Sequence, residues 1–167
     1  MKQLRIALDL DDTIFDWRNA HEKRFNCDVS KLPTSVINSQ VASIKYDSKF
    51  WSNLALLEKP DFTPCIYATK RMNSKKYTIK CLKKYSLPRV PIYQIEKQED
   101  NKARIIKGRC DVLIDDSWFN VQQCLSRGVP ALLITRPLNQ NIDTPYRVNS
   151  LSYKEIEKKY YELFGSM

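Results

Sequence analysis

Apolar and polar positions alternate along this chain in blocks rather than residue by residue. Short apolar runs at Leu4 to Leu8, Cys65 to Ala68, Val90 to Tyr93, Val112 to Ile114 and Ala131 to Ile134 read as strands buried on both faces. Between them, Ser74 to Tyr85, Asn101 to Lys107, Ser117 to Arg127 and Tyr153 to Phe164 carry helical spacing. Ser152 and Glu155 form a capping-box pattern ahead of the last of these, Ser117 suits a helix N-cap, and Gly108 and Gly128 are placed to close two helices. Strands alternating with helices predict an α/β fold, a Rossmann-like doubly wound parallel sheet covered on both faces. The span from Ile14 to Pro60 breaks the alternation. It holds no convincing strand and spreads Trp17, Phe25, Val41, Ile44, Phe50, Trp51 and Leu54 among polar residues, which predicts a small helical cap inserted after the first strand. One domain is expected, with a core of residues 1–13 and 61–167 and a cap of about 14–60.

The chain has 167 residues, 43% hydrophobic and 28% charged, as in ordinary globular proteins. No apolar segment approaches the roughly 20 residues that span a bilayer, so a cytoplasmic protein is expected. Five scattered cysteines without a Cys-x-x-Cys pair, and the single histidine His21, argue against a zinc site and for reduced thiols packed largely in the core. The net charge of +9 favours anionic partners, nucleotides or nucleic acid, without choosing between them. Much of the excess lies in Lys75, Lys76, Lys80, Lys83 and Lys84 on one predicted helix, which reads either as a solvated face or as a nucleic-acid surface.

The chemistry concentrates where apolar runs end. Ile6-Ala7-Leu8 leads into Asp9-Leu10-Asp11-Asp12-Thr13, and Val112-Leu113-Ile114 leads into Asp115-Asp116. Carboxylates at the carboxyl ends of neighbouring strands repel one another and invite a divalent cation, for which hard oxygen ligands suit Mg²⁺. An acidic turn or helix cap is the plainer alternative for either pair taken alone. Thr69 ends the second predicted strand, where a hydroxyl beside turn amides can donate to phosphate, and Lys70 and Arg71 follow it. Lys102 begins the helix before the fourth strand, on the carboxyl-end side of the sheet; Lys107 is a turn and more lower, roughly 7.5 Å, so Lys102 is the preferred site lysine.

These residues in this order resemble the haloacid dehalogenase-like phosphohydrolase superfamily, whose pattern is Asp-x-Asp-x-Thr, a Thr or Ser after the second strand, a Lys, and an Asp pair. Phe15-Asp16, Phe50-Trp51-x-x-Leu54 and Thr135-Arg136-Pro137-Leu138-Asn139 look most like the 5′(3′)-deoxyribonucleotidase branch. Lys70 stands where animal deoxyribonucleotidases carry a serine, and the lysine lies further from the Asp pair than theirs. The resemblance implies that Asp9 is the nucleophile and Asp11 the acid and base. It also implies that Asp9, Asp11 through its carbonyl, and one or both of Asp115 and Asp116 hold Mg²⁺, and that Thr69, Lys70 and Lys102 bind phosphate. Under a cap, the implied substrate is a nucleoside monophosphate, with Phe15, Trp17 and Trp51 as candidates to stack on its base and Arg71 to meet a ribose or second phosphate. Packing within the cap is the alternative for each aromatic. Two other functions stay open: a phosphatase of nucleic-acid 3′-ends, suggested by the basic charge, and a non-catalytic phosphate or nucleic-acid binding module.

Overall fold

The computed structural model describes residues 3–95 and 101–165. Six strands form one all-parallel sheet: β1 (Ile6–Leu8), β2 (Ile66–Thr69), β3 (Ile92–Gln94), β4 (Val112–Asp115), β5 (Ala131–Ile134) and β6 (Arg147–Val148), in the order β3-β2-β1-β4-β5-β6. The chain builds outward from β1 to β3 and then returns to the other side of β1, so the switch in strand order falls between β1 and β4. Ligands of doubly wound sheets bind at the carboxyl ends beside such a switch.

Side-chain alternation along these strands feeds two cores. Ile6, Leu8, Val112, Ile114, Leu132 and Ile134 share one cluster with Cys81 and Leu82 of α4 (Lys75–Lys84) and Ile156 and Phe164 of α7 (Tyr153–Phe164). Ala7, Ala68, Leu113, Ala131 and Leu133 share the other with Ala103 and Ile106 of α5 (Lys102–Ile106) and Val121 and Cys124 of α6 (Trp118–Leu125). Burial on both faces is why these strands read as unbroken apolar runs. Between β1 and β2 lie α1 (Trp17–Phe25), α2 (Thr34–Ser43) and α3 (Ser48–Ser52), a helical insertion as the sequence predicts. α3 packs against α4. No helix among the described residues is long and apolar enough to cross a membrane.

Gly108 and Gly128 adopt φ of 78° and 69°, the left-handed conformation expected where they close α5 and α6. Three expectations are corrected. The sheet has a sixth strand, β6, held by Leu133 N–H donating to Tyr146 O at 2.7 Å and Thr135 N–H to Val148 O at 2.8 Å. The Ser152 capping box does not form: Tyr153 N–H donates to Asp61 Oδ1 at 2.7 Å, while Glu155 accepts from Asn149 N–H and Ser150 Oγ. Not all cysteines are reduced, for Cys65 and Cys110 form a disulfide with Cα atoms 6.8 Å apart. Each leads into one of the two strands that flank β1, so the parallel pairing brings them together at the amino end of the sheet. Cys27, Cys81 and Cys124 are free.

Candidate active site

The register places Leu8 opposite Ile114, so Asp9, one residue beyond β1, and Asp115, the last residue of β4, emerge side by side. Asp9 N–H donates to Ile114 O at 3.0 Å, which extends the pairing as far as the acidic residue. Lys102, the first residue of α5, is buried and its ammonium bridges the pair, donating to Asp9 Oδ1 and, at 2.6 Å, to Asp115 Oδ2. Asn101 caps this short helix by accepting from Arg104 N–H, which fixes where the lysine starts. Lys107, by contrast, is exposed at the other end of the helix.

Asp115 is saturated. Besides Lys102 it accepts from Ser117 N–H at 2.9 Å and from Asn120 Nδ2 at 3.1 and 3.2 Å. Ser117 is itself the N-cap of α6, so the cap and the acidic pair are built by the same turn. Asp116 turns the other way, exchanging hydrogen bonds with Thr13: its N–H donates to Thr13 Oγ1 at 3.2 Å and its Oδ1 accepts from that hydroxyl at 3.3 Å.

The loop after β1 bends sharply. Ile14 and Phe15 N–H groups both donate to Leu10 O, and Asp12 takes a φ of 58°. Arg136 secures it from β5's end, donating to Asp12 O at 3.2 Å and Thr13 O at 2.6 Å while pairing with Glu58. Sequence reading set Arg136 and Asn139 in a motif without giving them work; here Asn139 Nδ2 donates to Asp116 O at 2.8 Å. Asn120, which braces Asp115, had no sequence signal beyond its place three residues after a helix cap.

One ligand oxygen each from Asp9, Asp115 and Asp116 can lie within 4.8 Å of the others. Three carboxylates against the single ammonium of Lys102 leave negative charge that a divalent cation would neutralise, so the residues fit a hard metal ion. Burial and the neighbouring carboxylates of Asp115 and Asp11 push the Asp9 carboxyl up to about 7 against the pull of Lys102. Burial and the same crowding raise Asp116 well above the usual carboxylate range. Burial in turn raises Asp12 to about 7.

These groups floor a cavity of about 280 Å³. Asp9, Asp11, Thr69, Lys102 and Asp116 line it from the sheet side, and Trp17, Ile37, Val41 and Trp51 from the helical insertion. Thr69 is buried at the end of β2 and its Oγ1 has no hydrogen-bond partner among the described residues. Lys70 is exposed and lines the mouth, its ammonium 5.5 Å from the exposed Phe119 ring. The remaining expected substrate contacts fall differently. Phe15 is fully buried and does not line the cavity, so its expected role in stacking on a base is corrected to packing. Trp51 is 2% exposed and donates its indole N–H to Ile44 O at 2.8 Å. Trp17 is half-buried, its ring 4.7 Å from that of His21. Arg71 lines the cavity, but its guanidinium is committed to Asp11.

No protein-family model and no curated protein matches the sequence. The structure is similar to that of an L-2-haloacid dehalogenase, with a TM-score of 0.58 at 11% identity over 95% of this chain and 99% of that one. It is also similar to a second dehalogenase, with a TM-score of 0.51 at 13% identity over 98% of each chain. The likeness is one of fold, and it runs over nearly all of the chain.

Proposed function

We propose that this chain, which has the haloacid dehalogenase-like fold, is a Mg²⁺-dependent phosphomonoester hydrolase acting on nucleoside monophosphates. The observation that carries the reading is the convergence of Asp9, Asp115 and Asp116 around the Lys102 ammonium, beside a buried Thr69 hydroxyl with no partner among the described residues. A buried unsatisfied donor is costly unless something occupies it, and a phosphoryl oxygen suits both it and the lysine. Asp9, the carbonyl of Asp11 and Asp116 would hold the metal; Asp115 is the less suited of the acidic pair because Lys102, Ser117 and Asn120 already occupy its oxygens. When bound, the ion supplies positive charge to the phosphoryl oxygens.

A carboxylate oxygen of Asp9 attacks phosphorus, and the bond to the leaving oxygen breaks with its electron pair on that oxygen, which takes a proton from Asp11. Water then gives a proton to Asp11 as it attacks the aspartyl-phosphate, releasing phosphate and restoring Asp9. Lys102 and Thr69 bind the equatorial oxygens through both steps, the largest contribution open to a protein in phosphoryl transfer. The dehalogenases that share the fold act on a bond whose halide leaves without a proton, so a second carboxyl beside the nucleophile favours an alkoxide leaving group here.

The cavity is at the small end for ligand sites and is walled by α2 and α3, which favours a mononucleotide over a polymer. The five exposed lysines of α4, Lys75, Lys76, Lys80, Lys83 and Lys84, support a second reading, hydrolysis of nucleic-acid 3′-phosphate ends. The test is phosphate release from ribo- and deoxyribonucleoside 5′- and 3′-monophosphates and from a 3′-phosphorylated oligonucleotide, with Mg²⁺ and with chelator. Chelator-sensitive turnover of the mononucleotides is expected. Activity confined to the oligonucleotide selects the second reading, and no Mg²⁺-dependent release from any of them refutes both.

A further inference from the structure

Arg71 is among the largest fully buried side chains in the protein and is a cation. Placing a guanidinium there is expensive unless every side of it is satisfied. Its Nε lies 3.0 and 2.9 Å from the two carboxylate oxygens of Asp11, and its Nη2 lies 2.6 Å from Oδ1. Nη1 donates to Thr78 Oγ1 of α4 at 3.2 Å. Its flat faces are covered too: the guanidinium carbon is 5.4 Å from the Phe15 ring centre and 5.5 Å from that of Trp51. The backbone is fastened as well, Arg71 O accepting from Gln94 Nε2 of β3 at 3.3 Å.

Asp11 itself sits on the bent loop after β1, its side chain 23% exposed toward the cavity. The Lys102 ammonium is held by Asp9 and Asp115, so it does not orient Asp11. We infer that Arg71 is the positioning residue for Asp11, holding one carboxylate edge so that the other faces the leaving group and then the attacking water. The inference rests on the phosphatase reading above. Fork-to-fork pairing fixes both the distance and the plane of a carboxylate, which a single point charge does not. It also gives Phe15 and Trp51 their role: they are the walls of the arginine slot, and Trp51 brings α3 of the insertion into contact with the acid–base group through that slot.

The experiment compares wild type with Arg71→Gln on p-nitrophenyl phosphate, whose leaving group needs no proton, and on an alkyl phosphomonoester, whose leaving group does. With Asp11 misplaced, formation of the aspartyl-phosphate stays fast for the aryl ester while its hydrolysis slows. The expected result on the aryl ester is a burst of about one p-nitrophenolate per site, then turnover slowed roughly 10²-fold with KM lowered as hydrolysis of the intermediate becomes limiting, and on the alkyl ester no burst and KM little changed. A rise in KM with kcat unchanged would make Arg71 a phosphate ligand and overturn the inference, as would equal slowing of both substrates without a burst. Arg71→Lys keeps the buried cation without the fork and carries the same readout where Arg71→Gln does not fold. Wild-type protein inactive on both esters overturns the phosphatase reading; the pairing is then read from unfolding midpoints of Arg71→Gln, Asp11→Asn and the double variant. The second substitution is expected to lower the midpoint by less than half of what it does alone, and additive shifts overturn the pairing.

Discussion

Raising the pH of the metal-free protein from 5 to 8 is predicted to destabilise it, because burial raises the Asp9, Asp12 and Asp116 carboxyls alike, and Asp9→Asn isolates the Asp9 share. The Asp9 carboxyl titrates at about 7 in the fold because burial disfavours the charge, against roughly 3.9 in an unfolded chain. A group with a raised folded pKa binds more protons folded than unfolded, so its contribution is complete below about pH 4 and is lost as pH rises through 7. The unfolded chain is already ionised at pH 5, so within this range the contribution falls over the two pH units from 5 to 7, which at about 1.4 kcal/mol each give an upper bound of about 3 kcal/mol for Asp9. Water entry and side-chain relaxation reduce this, and about 2 kcal/mol, or a fall of about 4–8 °C in Tm, is the working expectation. His21 acts in the opposite direction, because burial lowers its pKa and its contribution grows as pH rises. The assay is thermal unfolding by circular dichroism in EDTA at pH 5, 6, 7 and 8, with Asp9→Asn measured beside wild type so that His21 cancels in the difference. Mg²⁺ at a hundredfold its Kd should then return about 2.7 kcal/mol at pH 8 and little at pH 5. A wild-type-minus-variant difference that is flat or rises with pH would refute the account of the site as an anionic centre short of a cation.

Asp9→Asn is expected to abolish phosphate release, and Asp11→Asn to lower it by roughly 10²–10⁴, with both variants folded by circular dichroism; wild-type rates in either would remove its assigned role. Thr69→Val removes a hydroxyl with no partner among the described residues, so Tm should hold or rise while inhibition by inorganic phosphate weakens. Lys102→Met strips the cation from two buried carboxylates and should cost about 3–5 kcal/mol in urea unfolding without metal, a loss that the same change made in Asp9→Asn should partly relieve. The Cys65–Cys110 disulfide spans a separation of 45 residues, which in the chain-entropy model corresponds to about 4 kcal/mol; melts with and without reductant measure it.

How much of this could be read from sequence depended on whether the cause was local. β1, β4 and β5 announced themselves because each is buried on both faces and each is a run of aliphatic residues. The acidic residues that close β1 and β4 located the site for the same reason, since charge after a buried strand has one place to go. β6 escaped because it is two residues long, one of them Arg147. The Ser152 box failed because Asp61, distant in sequence, competes for the helix N-terminus. The disulfide was invisible because Cys65 and Cys110 meet only through their strands' shared neighbour β1. Arg71 read as a contact to a ribose or second phosphate, and nothing local showed that Phe15 and Trp51 would close over it.

The structure gives the two carboxylates of Asp-x-Asp different cations, and that division separates their chemistry. Asp11 is paired with Arg71. Asp9 shares Lys102 with Asp115, and Asp116 adds a third carboxylate to that side, so three negative groups face one ammonium. A phosphate monoester dianion entering this centre would add two more negative charges in a site where burial already disfavours the existing ones. Lys70 stands at the mouth, outside the cluster, and cannot balance them alone. A divalent cation held by Asp9 and Asp116 would cancel the surplus, and on the proposed reading Lys102 and Thr69 would meet the phosphoryl oxygens. The metal dependence proposed above rests on this charge count, and on that reading Asp9 and Asp11 can be perturbed separately because each is paired with its own cation.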